Sequence, residues 1–203
     1  MRDILAIAQN TFCISARLKS LYFILVSCII IVWAMGLYGL LSGGREALMM
    51  LDAALALSLI AGVLTAMSSA FEIPREKRSQ TAQLLLSKPL GRGQFIIGKF
   101  LGTSLLCVFN IAVVGIGSAV VMTGKLETIP PMYFPNLALI MTEAITLVGV
   151  GVFFSVLFNE VGGALGVFAV FAGGHAVHLL PRLFDKGALH PGMVMLARIF
   201  PDF

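Results

Sequence analysis

The sequence predicts an all-α integral membrane protein with five transmembrane helices, and three observations carry that prediction. Of 203 residues, 59% are hydrophobic and only 12% are charged, against about 45–50% and about 25% in soluble domains. The mean hydropathy is +0.99, so the chain has too few polar side chains to cover itself in water. Its apolar residues fall into stretches near the ~20 that a helix needs to cross the ~30 Å hydrocarbon core, and none shows the period-2 alternation of a barrel strand. A soluble enzyme, a secreted scaffold and a disordered chain are all excluded.

The chain opens with a predicted interfacial helix over residues 1–19. Leu5, Ala8, Phe12 and Ala16 recur there at helical spacing, with Gln9, Asn10 and Arg17 elsewhere, the pattern of an amphipathic helix lying at a membrane surface. The first span covers residues 21–41. Arg17 and Lys19 precede it and no small-residue cleavage site follows, so it reads as a retained span rather than a signal peptide. The second span covers residues 53–71.

Charge concentrates in the next segment, 72–99. Pro74 breaks or restarts the helix there, because it lacks a donor and restricts Ile73. Glu72, Arg75, Glu76, Lys77 and Arg78 form a dense polar cluster around it. A short apolar helical piece from Thr81 to Leu86 follows and ends near Lys88-Pro89, and Gly91 and Gly93 supply the turn into the next span. A short amphipathic helix projecting between two turns is a shape that a cytosolic partner can grip. The third, fourth and fifth spans cover residues 100–122, 137–158 and 161–180.

The final segment, 181–203, is expected to be an outer interfacial piece. Ala188 to Phe200 is apolar, but it has only 13 residues and is interrupted by His190, Pro191 and Arg198. Even as a continuous helix it would reach ~20 Å, short of the ~30 Å core.

Orientation follows from the cations. Nine of the fourteen Lys and Arg residues (Arg2, Arg17, Lys19, Arg75, Lys77, Arg78, Lys88, Arg92 and Lys99) fall on one side of the five-span arrangement, and five on the other. By the positive-inside rule the N-terminus and the 72–99 segment are cytoplasmic. The net charge of +4 therefore describes membrane flanks, not a nucleic-acid surface. Cys13, Cys28 and Cys107 are widely separated and form neither a disulfide framework nor a metal spacing.

Glu143 and His175 are ionisable residues inside predicted spans. Glu143 sits ~12 Å into the fourth span and His175 ~9 Å from the outer end of the fifth, at comparable depth on consecutive antiparallel helices. Charged groups at mid-span cost about 2.5–3.5 kcal/mol on insertion scales, so a Glu143–His175 pair is expected. It either fastens two helices or belongs to a translocation path. His175, His178, His190, Met193 and Met195 also gather toward the outer face, but they read as interfacial residues and no metal ligand is assigned. Gly98-x-x-x-Gly102 and Gly162-x-x-x-Gly166 mark places where helices can approach closely.

The stretch carrying Glu76, Thr81, Leu86-Ser87-Lys88-Pro89, Arg92 and Gly98-Lys99 resembles the first cytoplasmic loop of ABC-2-type transporter permeases. It is most similar to the branch associated with maturation of multi-copper enzymes, and the opening segment resembles that branch too. Where that opening often carries an acidic residue after Thr-Phe, this chain has Cys13. The resemblance implies a permease that dimerises with a second copy or a paralogue in a bacterial or archaeal cytoplasmic membrane. It also implies that a separate cytosolic ATP-binding subunit drives transport. This chain contains no Gly-x-x-x-x-Gly-Lys-Ser/Thr phosphate cradle, so the partner binds the ATP and the chain needs no cofactor of its own. Residues 72–92 are the sizeable cytoplasmic surface that would receive the energy, with Glu72, Arg75, Glu76, Thr81 and Arg92 as coupling candidates. Members of the family usually have six spans, so the resemblance also implies that the last one is missing here.

Two other functions compete. One is a membrane assembly factor that keeps the permease shape without transport. The other is an intramembrane protease, but Phe171-x-x-x-His175 lacks a Glu-Glu-x-x-x-Arg counterpart. Gly115-x-Gly117-Ser118 lacks a following Ala-His-x-x-Gly, and no His-Glu-x-x-His occurs.

Overall fold

A computed structural model describes residues 2–16, 26, 30, 31, 34, 46–78, 91–126 and 129–183. These form helices without a strand among the described residues: α1 (Arg2–Ala16), α2 (Glu46–Ser69), α3 (Glu72–Arg78), α4 (Arg92–Lys125), α5 (Tyr133–Leu157) and α6 (Glu160–Leu183). The chain is an all-α membrane protein. Among the described residues, three stretches, Ala47–Arg75, Gly93–Gly124 and Tyr133–Leu157, are long and apolar enough to cross a bilayer, and Ile4–Ala16 and Glu160–Ala176 are shorter apolar helices. The expected spans at 53–71, 100–122, 137–158 and 161–180 fall on α2, α4, α5 and α6. The expected first span, the Thr81–Leu86 piece and the segment beyond residue 183 lie outside the described residues, apart from helical positions 26, 30, 31 and 34.

The bundle is organised around α2, which packs against α4, α5 and α6. Its buried positions are mostly small: Ala54, Ser58, Ala61, Gly62, Thr65, Ala66 and Ser69. They recur every three or four residues and so form one seam. Between helices in lipid there is no hydrophobic drive, and small side chains that let backbones approach are what hold a bundle together. At Gly62, the position a Cβ would take lies 3.1 Å from both Ala144 Cβ on α5 and Ile111 Cδ1 on α4. Larger side chains close the core from the facing helices: Ile111 and Val114 of α4, Leu147 and Val148 of α5, and Val167 of α6. The outward positions are apolar in turn, with Leu105, Ile116, Leu139 and Leu165 each about 60% exposed or more. That is the surface a hydrocarbon solvent requires.

Between α2 and α3 the helix tightens, then restarts. The Ala70 and Phe71 N–H groups donate to carbonyls three residues back, Met67 O at 3.2 Å and Ser68 O at 3.1 Å, and the Arg75 N–H returns to a four-residue bond with Phe71 O at 3.1 Å. Pro74 therefore falls within the first turn of α3, where a helix has no use for its missing donor.

At 34 residues, α4 is about 51 Å long and exceeds the ~30 Å core. The N-terminal part of α4 carries α1. A Cβ on Gly102 would lie 2.6 Å from Ala8 O and 2.7 Å from Thr11 Cβ, and one on Gly98 would lie 2.7 Å from Ile7 Cγ2. The first of the two Gly-x-x-x-Gly pairs is thus the seat of α1. Phe12 adds an edge-on contact with Phe109, ring centroids 6.1 Å apart.

The helix expected at the N-terminus is present, and the face it turns to α4 is set by short side chains rather than by its apolar stripe. Leu5 is 66% exposed, while Thr11 and Ser15 are almost fully buried. The reason is the glycine pair: a close backbone approach favours short side chains at the contact, even polar ones, over a bulky leucine.

Candidate functional site

Two groups of polar residues stand out. At the junction of α2 and α3, Glu72 opens α3, and its carboxylate meets the Lys99 ammonium of α4 at 3.0 Å. The side chains are only 10% and 3% exposed respectively. Ser15 of α1 donates its hydroxyl to the other carboxylate oxygen. One acidic side chain thus ties together three helices that are far apart in sequence. A buried pair like this contributes little net stability against an apolar alternative, but removing one partner strands the other charge.

The remaining coupling candidates are placed differently. Arg75 is exposed on α3, its guanidinium 5.4 Å from the Phe71 ring centroid, in cation–π range. Glu76 lies in α3 and Arg92 begins α4, but their side chains are outside the described set, as is Thr81 altogether. Glu72 is therefore brought together with Lys99 and Ser15, and not shown with the other four.

The second group lies between α5 and α6. Glu143 Oε1 is 3.8 Å from His175 Nδ1, so the two residues expected to meet do meet, although beyond hydrogen-bonding distance. Glu143 has 13% side-chain exposure and His175 has 44%. The imidazole lies over Phe171, with centroids 4.5 Å apart, and its Nδ1 is 3.3 Å from Phe171 O. Glu143 Oε1 is buried and has no hydrogen-bond partner among the described residues.

Several polar ties were not legible in the sequence. Asn110 Nδ2 of α4 donates to Thr65 Oγ1 of α2 at 3.0 Å, and the Thr65 hydroxyl in turn donates to Ala61 O at 2.7 Å. The Tyr133 hydroxyl at the start of α5 donates to Gly115 O of α4 at 2.7 Å. Lone Asn and Tyr residues within or beside apolar runs were the available signal, since a polar group in hydrocarbon needs a partner. Among the described residues, no group of three or more His, Cys, Asp or Glu side chains is placed to hold a metal ion.

Comparison with known families matches residues 6–186 to the one described as ABC-2 family transporter protein. The match does not resolve a branch within that family. No curated protein matches the chain.

Proposed function

Because the chain belongs to the ABC-2 family of transporter proteins, we propose that it is the membrane-spanning permease subunit of an ATP-binding-cassette transporter. It moves its substrate across or out of the bilayer with energy from ATP hydrolysed elsewhere. The family supplies the membrane component of such transporters, not an enzyme, and normally works with a cytosolic ATP-binding subunit. In this reading that subunit docks on the segment between α3 and α4, with the N-terminus on the same, cytoplasmic side of the inner membrane. A second copy or a paralogue completes the permease.

The observation that carries the coupling assignment is the Glu72 junction. The segment that would meet the motor emerges from α3, and α3 is fastened at its first residue to α4 through Lys99 and to α1 through Ser15. A push on that segment reaches two other helices through directed contacts.

The test is co-expression with a candidate ATP-binding subunit, followed by purification on a tag placed on this chain. The ATP-binding subunit should co-purify, and its ATPase rate should depend on the chain. An ATPase rate that is the same with and without the chain would overturn the reading and favour the non-transporting assembly factor.

A further inference from the structure

The outward face of α5 reverses the polarity that lipid would select. Toward its ends this face is apolar, with Leu139 67%, Phe153 60% and Leu157 60% exposed. Between them the exposed positions include Thr142 and Thr146, about 14 and about 20 Å along the helix from Tyr133, with Glu143 beside them. On α6 the exposed stripe runs Val161, Leu165, Phe168, Ala172 and then His175. The centre of a bilayer is where polar groups are most costly, yet the polar belt of these two helices lies toward that depth.

The threonines alone would be compatible with lipid. Thr142 donates to Ala138 O at 3.0 Å and Thr146 to Glu143 O at 2.6 Å, so their hydroxyls are served by their own helix. What lipid cannot serve is the rest: a half-exposed imidazole and a buried carboxyl oxygen with no partner among the described residues, 3.8 Å apart. The two described cationic side chains, Lys99 and Arg75, sit at the α3 end of the bundle, and neither is paired with Glu143 by any described contact.

We propose that Glu143 and His175 form a water-accessible binding site on the wall of the translocation path, taking a cationic group, with Thr146 at its rim. Glu143 supplies the unfilled acceptor, and His175 marks the side from which the group arrives. The site rests on the permease reading for what passes through it, but the geometry that exposes it does not depend on the motor.

The test uses the full chain in native membranes, with Cys13, Cys28 and Cys107 replaced. Single cysteines are introduced by Thr146→Cys, His175→Cys, Leu105→Cys and Leu165→Cys, and each is exposed to membrane-impermeant thiosulfonate reagents, one cationic and one anionic. The Thr146 and His175 variants should react, and the Leu105 and Leu165 variants, whose thiols sit in hydrocarbon, should not. At Thr146→Cys the cationic reagent should react faster than the anionic one by about tenfold or more, as a fixed negative charge in a cleft concentrates cations. Adding Glu143→Gln should abolish that preference while leaving the thiol reactive.

If the Thr146 and His175 variants are as unreactive as the Leu165 variant, lipid or a second copy covers this face and the proposal is wrong. Equal rates for the two reagents with Glu143 intact would overturn the ligand class. A failed ATPase test with this labelling pattern intact would remove the motor and leave the site.

Discussion

Glu72 and Lys99 stand 27 residues apart in the chain, on opposite flanks of the segment between α3 and α4, and their charges meet at 3.0 Å with almost no exposure to solvent. The ion pair holds the two flanks of that segment together, and they cannot separate without exposing a charge. It is the best-defined polar contact at that end of the bundle, and it sets the first prediction.

Removing either partner should cost much more than removing both. Glu72→Ala or Lys99→Ala alone removes one charge of a buried pair, which typically costs about 3–5 kcal/mol. The double variant removes that imbalance and should recover a substantial part of the loss. Unfolding of the four proteins in detergent, analysed as a double-mutant cycle, measures this. Strictly additive losses would show that the two charges act independently.

Arg75 should behave in the opposite way. It is exposed on α3, and surface substitutions usually change stability within about 0.5 kcal/mol. Arg75→Glu should therefore leave assembly and detergent stability unchanged while lowering the ATPase stimulation of the bound partner. A loss of stability comparable to that of Glu72→Ala would place Arg75 among the internal ties instead.

Adding bulk to the seat of α1 should release it. Gly102→Leu drives a side chain into Ala8 O and Thr11, and overpacking of this kind typically costs about 1–3 kcal/mol. Limited proteolysis should then cut the N-terminal helix faster than in the unmodified protein. Gly124→Ala is the control, because nothing lies within 4 Å of its added Cβ, and its cleavage pattern should not change.

The side of the membrane on which each end of α4 lies is checked separately. Reporter fusions after Ser87 should read cytoplasmic and fusions after Glu127 external, as the distribution of Lys and Arg requires. The opposite reading at either site would overturn the orientation.

The positions of α2, α4, α5 and α6 were legible because hydropathy reports the part of a helix that crosses lipid. Their full lengths were not. The expected 100–122 becomes Arg92–Lys125 because a helix does not stop where the hydrocarbon does. Gln94 and Lys99 continue its backbone ladder without contributing to an apolar run. The contact of α1 with α4 was not legible for a related reason: Leu5 stands out in an apolarity pattern, while the contact with Gly98 and Gly102 is made by Ile7, Thr11 and backbone carbonyls. Glu143 and His175 could be paired from depth alone, since both are ionisable in otherwise apolar helices. Ser15 and Glu72, 57 residues apart, share no periodicity, and only the folded chain brings them together.

The seam along α2 has a consequence for how this protein can change. Ala61 and Ala66 are 1% and 0% exposed, and Gly62 has neighbours at 3.1 Å on two helices. These side chains are already near the lower limit of volume, so almost every mutation there enlarges them, and the contact has no slack to absorb the added volume. On the opposite face of the same helix, Met49, Ile60 and Leu64 are exposed and can be exchanged for any residue that lipid accepts. A saturation library over α2 should therefore split by angle around the helix rather than by position along it, with one face nearly invariant among functional clones and the other drifting freely.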